Sequence, residues 1–532
     1  MKRIGMVMLI MTMIGAVVSA NGSQSTTGST GAGPARITVE IFDRGTDGGK
    51  TDPANNQWTK WIQQKILKDE NIIVEFVKVS RWAETDALVN LFAAGTPPDV
   101  CYTYSIDNIQ NWSEQGGILD LAPYIDTTLK DLKAFLGPDK ALVGKDLIRR
   151  NIDTSTGQIF SIPARRMNVA QRNIFIRKDW LDTLGLPLPK TTQEFYDALV
   201  AFKTKDPGKV GLNKVVPFIM DGDRVDWGAG NIMEAFIDPK ISDKERWINT
   251  VSERSFNVPG YKEGVRFMNK MFNAGLIDKD FPLYKSGDDT RPLIQSGVVG
   301  AFSGDWDIPY REPNGLLSGL RKNVPNGDFV PIDPIQSSDG ITHKSAYDAA
   351  GIFFFIPKSC KNPDAAMRYL NWLAKYENYH FLQTGPEGIT HTVGSDGVVK
   401  IDASAAKDPS WIMNSNQNID YTMMMNGLFL ESEEASIRAL AAGYSYPADI
   451  ISRSYTTALT NARPALVVKT TSPLVVAGPL NQTLADRSKI VFSATITCPE
   501  SQFDAVYDRE VKAWLEAGAQ AVIDERRAKY PQ

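Results

Sequence analysis

Aromatic side chains standing beside arginine or a carboxylate recur along this 532-residue chain. Arg44 and Trp82 fall in loops after the first two strand-like stretches, and Tyr104 ends the third, on the same face as Tyr102. Asp226-Trp227-Gly228 shares a loop with Asp221, Asp223 and Arg224, and Asp305 precedes Trp306. Rings supply flat apolar platforms, while Asp, Glu, Asn and Arg supply planar, multidentate hydrogen bonding; together they suit a polar ligand with apolar faces. That is the chemistry of holding rather than of turnover. The chain contains no G-x-S-x-G, no H-E-x-x-H and no phosphate-cradling glycine loop, and His343, His380 and His391 show no ligand spacing. The run from Asp221 to Asp226 fits a calcium loop poorly, because Val225 takes the place of an oxygen ligand and neither the glycine nor the distal Glu follows. No metal and no other cofactor is expected.

The balance of 58 basic against 62 acidic residues, a net charge of −4, gives no field that would draw the chain to nucleic acid or an anionic membrane. Cys101, Cys360 and Cys498 are far apart and form no C-x-x-C, which argues against structural zinc and against a disulfide framework. At the amino terminus, Lys2 and Arg3 precede an apolar run from Ile4 to Val18 that ends in Val18-Ser19-Ala20, the pattern of a signal peptide over residues 1–20. Residues 21–36 are rich in Ser, Thr and Gly and read as a flexible linker. An exported protein of two lobes or more follows from this length and leader.

The elements that must position the candidate residues alternate. Ile37–Phe42 is strand-like, a Gly/Asp-rich loop leads to an amphipathic helix with Trp58, Trp61, Ile62 and Ile66, and Ile72–Val79 is a second strand. A helix over Ala83–Ala94 is stopped by Gly95, Pro97 and Pro98, and a strand over Val100–Tyr104 follows. A strand so placed is one rung of a parallel sheet, and its carboxyl end at Tyr104 faces the crevice where open α/β sheets bind ligands. The pattern restarts with a strand at Asn173–Arg177, a short helix stopped by Gly185, and a Thr191-x-x-Glu194 capping box. Gly300–Phe302 is a strand that Ser303-Gly304 breaks, Gly351–Pro357 is a strand buried on both faces, and Asp504–Arg527 is a helix packed on a core. The fold class is α/β with doubly wound sheets.

Four stretches, AAGTPPDV at Ala93–Val100, NIFIRKDWLDTLGLPLPKTTQEF at Asn173–Phe195, LIQSGVVGAFSGDWD at Leu293–Asp307 and GIFFFIPKSCKNPDAAMRYLNWL at Gly351–Leu373, carry a resemblance. In order and spacing they resemble the extracellular solute-binding proteins of ABC importers, in the branch that includes maltodextrin- and alginate-oligosaccharide-binding proteins. The resemblance implies a periplasmic-binding-protein-like fold, two doubly wound lobes joined by crossing strands around a ligand cleft. The amino-terminal lobe would take residues 37–164 and 349–402, and the carboxyl-terminal lobe residues 165–348 and 403–532. Many longer members carry a lipid-bearing cysteine where this chain has Ala20-Asn21, so a lipid anchor is left open.

The resemblance also implies site residues. Arg165 and Arg166 follow one crossing and are placed to fork onto hydroxyls or a uronic carboxylate. Tyr347 and Asp348 stand at the second crossing, Trp306 lies where family members line the cleft with an aromatic, and Glu387 sits in a Gly385-Pro386-Glu387-Gly388 turn. With Arg44, Trp82, Tyr104, Trp227 and Asp305 they make the expected ligand-binding set. The implied partners are a small carbohydrate and the permease subunits of an importer, the protein itself being a monomer. A receptor for a peptide or charged small solute, and an exported carbohydrate-active enzyme with two apposed carboxylates, are the alternatives.

Overall fold

The computed structural model describes residues 33–45, 51–137, 147–153, 155–166, 168–312, 315–333, 344–402, 407–411, 419–463, 466, 468, 470–472 and 474–531. The expected signal peptide and the linker up to residue 32 lie outside the described residues, and the first strand takes up the end of the linker by starting at Ala35.

Among the described residues twelve strands carry the architecture: β1 Ala35–Asp43, β2 Ile72–Ser80, β3 Cys101–Thr103, β4 Ile162–Arg166, β5 Arg172–Arg177, β6 Val216–Ile219, β7 Val299–Asp305, β8 Phe329–Ile332, β9 Ala350–Phe355, β10 His391–Val393, β11 Val399–Ile401 and β12 Met425–Asn426. In the first lobe β12, β4, β9 and β3 form one sheet. The β1–β2 pair joins its edge through a parallel Val39–Val100 bridge, with the Glu40 N–H donating to the Val100 carbonyl at 2.9 Å. In the second lobe the order is β6, β7, β5, β8. Both sheets are mixed: β9 runs antiparallel to β3 and β4, and β5 antiparallel to β7 and β8. The parallel rung expected at Val100–Tyr104 thus holds toward β1, while Cys101–Thr103 faces an antiparallel neighbour, the strand that returns from the other lobe.

Local chemistry explains most element ends. Asn56 and Thr59 close a reciprocal capping box at the start of the helix Gln57–Glu70, which buries Trp58, Ile62 and Ile66. Gly95, at φ 70°, ends the turn after the helix Glu84–Ala93, as its position before two prolines predicts. Thr191 caps the helix Thr192–Lys205 by accepting the Glu194 N–H, but the Glu194 carboxylate accepts from Lys190 N–H, so only half of the expected box forms. The carboxyl-terminal helices Phe503–Trp514 and Gln520–Lys529 bury Tyr507, Trp514, Val522 and Ile523 in the second lobe's core.

Two boundaries move. β4 lies wholly in the first lobe's sheet, so Arg165 and Arg166 belong to that lobe. Residues 419–429 belong there too: β12 pairs with β4, and Tyr421, Met423, Met424, Met425 and Phe429 lie in the first core. Instead of leaving the lobe after Asp402, the chain crosses back through the helix Glu433–Tyr444, whose Ala441 packs in the second lobe.

Candidate ligand cleft

On the first lobe the carboxyl ends of β1, β2 and β3 converge. Phe42 at the end of β1 stacks on Tyr104 just past β3, with ring centres 6.2 Å apart and planes 12° apart. The guanidinium of Arg81 lies 4.0 Å from the Tyr104 ring centre, 5.4 Å from Phe42 and 5.2 Å from Trp82. Trp82 is 75% exposed, and its Nε1 donates to the Arg44 carbonyl at 3.2 Å. The two arginines here are neutralised. Arg44 forks onto Asp420 through two 2.8 Å bonds, and Arg81 pairs with Glu84 at 3.2 Å. Burial alone would lower the Arg44 guanidinium, but the Asp420 carboxylate outweighs it and holds the group above its ordinary value. Glu84 also accepts from the Tyr104 N–H at 2.8 Å and the Thr103 hydroxyl at 3.0 Å, and burial raises its carboxyl in spite of Arg81.

The second wall is built at the ends of β6 and β7 and at the crossings. Arg166, the last residue of β4, lies 4.1 Å from the ring centre of Tyr347. Tyr347 is 6.4 Å from Trp227, and Arg172 and Arg224 approach the Trp227 ring at 4.5 and 4.9 Å. Arg172 donates to the carbonyls of Asp226 and Trp227 at 2.5 and 3.0 Å, which ties the start of β5 to the first turn of the helix Val225–Glu234. Asp226 and Trp227 are therefore helical rather than in the expected loop. Asp305 ends β7 and pairs with Arg311 at 2.8 Å; burial first, then the Asp305 charge, pushes the Tyr347 hydroxyl up to about 12. Asp348 pairs with Arg150.

Three expected contacts are placed elsewhere. Arg165 is fully buried, with its guanidinium donating to the Gly137 carbonyl at 2.8 Å. Successive residues of a strand face opposite ways, so Arg165 and Arg166 cannot both reach the cleft. Trp306 is 3% exposed: β7 continues through Ser303 and Gly304 instead of breaking, the Trp306 N–H still donates to Gln171, and the indole packs edge-on to Tyr455 at 5.1 Å. It is a core indole beneath the helix Ala448–Leu459. Glu387 is exposed on a turn leading into the β10–β11 hairpin, and among the described residues no ion pair joins it to either wall. Arg81, Arg172 and Asp420 escaped the sequence reading. Arg81 adjoins Trp82 and could have been found there, whereas Asp420 reaches Arg44 across 376 residues and leaves no local signal.

A pair of α/β lobes joined by chain crossings defines a two-lobed ligand-binding protein of the periplasmic-binding type. The sequence pattern of the bacterial extracellular solute-binding protein family matches residues 51–379, and the chain belongs to that family. It is similar to the polygalacturonan/rhamnogalacturonan-binding protein YtcQ of Bacillus subtilis (strain 168), 23% identical over 481 residues that span 88% of each chain. It is also similar to the fructooligosaccharide ABC transporter substrate-binding protein FusA of Streptococcus pneumoniae serotype 4 (strain ATCC BAA-334 / TIGR4), 27% identical over 238 residues, 42% of each chain. Among solved structures, the alginate-binding protein AlgQ2 shares the fold at a TM-score of 0.62 and 20% identity, covering 94% of this chain and 98% of that one. These relatives are binding proteins rather than enzymes.

Proposed function

We propose that this protein is the exported substrate-binding component of an ABC importer, holding a sugar or oligosaccharide between its lobes and delivering it unchanged to permease subunits. The supporting observation is the pairing of rings with forked polar groups on both sides of the crossings: Trp82 and Tyr104 on one wall, Arg166, Tyr347, Trp227 and Asp305 on the other. An exposed indole offers the ring face that a pyranose covers, and the guanidinium and carboxylate groups take its hydroxyls. The relatives that are named for polysaccharide and fructooligosaccharide binding favour the same reading. Bound sugar gains its full set of contacts only when both walls touch it, so closure of the lobes is the signal a permease pair would read.

Calorimetry against a panel of oligosaccharides, with the sugars weighed by mass spectrometry afterwards, tests both halves of the proposal. Saturable binding with unaltered sugar is expected. Turnover would make it an enzyme, and affinity for peptides alone would make it a peptide receptor.

A further inference from the structure

Away from the chain crossings the two lobes also meet at a flank of the cleft, where the carboxyl-terminal part of the second lobe reaches the helix that starts beside Tyr104. That helix, Ile106–Glu114, is capped by Ser105 and turns Ile109 and Trp112 into the first lobe's core. Asp107, Asn108 and Gln110 meet the other lobe. The Gln110 side chain accepts the Leu474 N–H at 2.7 Å. Gly478, in the first turn of the helix Ala477–Thr497, lies against the same polar residues: a Cβ built there would stand 3.5 Å from Asn108 Oδ1 and 3.8 Å from the Asp107 Cβ. Burial raises the Asp107 carboxyl, against the opposing charge of Arg526 across the gap.

The segment that makes this contact is fixed firmly to the second lobe. The Glu525 carboxylate accepts the Val475 and Val476 N–H groups at 3.0 and 3.1 Å and pairs with Lys529 at 2.9 Å. Arg526 donates to the Trp247 carbonyl at 2.9 Å and to that of Thr250. Asn481 accepts from the Ser252 hydroxyl at 3.1 Å, near the Arg254–Asp226 pair that adjoins Trp227. Leu484 and Val491 of the same helix lie in the second core. Residues 474–482 thus bridge from the Trp227 side of the cleft to the Tyr104 side. The joint itself is thin and polar: a glycine and a backbone N–H on one side, Asp107, Asn108 and Gln110 on the other. The helix Ile106–Glu114 buries its apolar residues in one core and the helix Ala477–Thr497 in another. Parting such surfaces exchanges protein hydrogen bonds for bonds to water and uncovers little apolar area.

We propose that residues 474–482 are a latch: they engage the helix Ile106–Glu114 when the lobes close and let go when they open. Any interaction present only in the closed state shifts the equilibrium toward closure, so this contact slows ligand release without touching the ligand. Closure, not the identity of the sugar, is at issue, and the first test needs no sugar.

An Asp107→Cys/Gly478→Cys variant of the whole mature chain is treated with oxidised glutathione. The 3.8 Å between the two Cβ positions falls within the ~3.5–4.5 Å of a disulfide. Expected are a linked peptide joining positions 107 and 478, found by mass spectrometry, and a smaller radius of gyration for the oxidised protein than for the same protein reduced. Absence of that peptide from a variant that melts as the parent does overturns the contact. A linked peptide with an unchanged radius overturns the latch, because the two helices are then a fixed brace. Gly478→Gln, which puts a side chain into the joint, decides the matter if the double variant folds poorly. Its ligand-free radius and melting temperature should equal the parent's, and its affinity for the panel's tightest-binding oligosaccharide should fall about 2- to 10-fold, the worth of one hydrogen bond. A larger ligand-free radius, a lower melting temperature or an unchanged affinity overturns the latch. Failure of every oligosaccharide to bind tells against the carbohydrate reading alone and leaves the crosslink to judge the latch.

Discussion

The two walls of the cleft use the same residue types to opposite ends. On the first lobe, Arg44 and Arg81 are cancelled by Asp420 and Glu84, and what faces outward is aromatic: Tyr104 under Arg81, and an exposed Trp82. On the second side, Tyr347 and Trp227 are covered by guanidiniums that form no ion pair among the described residues. Arginine paired with a buried acid is part of the scaffold, since removing one partner would leave an uncompensated charge. Arginine stacked on a ring and left unpaired is available to a ligand. The partner of an arginine, more than its presence in a cleft, separates framework from recognition.

The largest expected effect lies outside both walls. Trp306→Ala should cost about 3–5 kcal/mol of stability, because a buried indole packed on Tyr455 leaves a cavity when truncated. Thermal or urea unfolding of the ligand-free protein measures it. A melting temperature within a degree or two of the parent would return Trp306 to the cleft and redraw the second wall.

Next come the walls themselves. Trp227→Ala should weaken binding of the preferred sugar by ~1–3 kcal/mol, since both guanidiniums lose the ring that orients them. Trp82→Ala should cost about 1 kcal/mol of binding, the worth of one exposed ring contact. Neither should shift the unliganded melting temperature as Trp306→Ala does. The walls differ in how they respond to salt: added salt should erode the Trp227 effect on an acidic sugar and leave the Trp82 effect nearly constant. Equal salt sensitivity at the two positions would erase the distinction between a cationic and an aromatic wall.

The smallest effect concerns pH. Burial raises the folded-state value of Glu84, so the native protein holds this proton longer than the unfolded chain does. Stability contributed by Glu84 is therefore full below its unfolded value near 4.5 and declines as pH rises through the raised one. Glu84→Gln removes that decline. The stability of the parent relative to this variant should fall between pH 4.5 and the raised value and then level off, as followed by denaturant unfolding at several pH values. A parent that gains on the variant as pH rises would mean that pairing with Arg81, not burial, governs the carboxyl.

Much of the fold was legible because its signals are local. Gly95 before two prolines, Thr191 before Glu194 and the apolar run at Gly351–Pro357 each announce an element within a few residues. The first wall was partly legible for the same reason, since Arg44, Trp82 and Tyr104 follow strands directly. The second wall and the boundaries were harder to read because they depend on distant pairing. Arg165 and Arg166 look alike until β12, more than 250 positions later, takes its place beside β4 and fixes which residue faces inward. Trp306 looks like a cleft residue until the helix Ala448–Leu459 covers it. Asp420, which settles the charge of Arg44, is remote in the same way.

A sugar held in this cleft must touch both walls, and that is directly measurable as a change of shape. Small-angle X-ray scattering of the mature protein, alone and saturated with the tightest-binding oligosaccharide from the panel, should show a smaller radius of gyration in the complex. An unchanged profile at saturation, with binding verified by calorimetry on the same sample, would contradict a sugar clasped between two closing lobes.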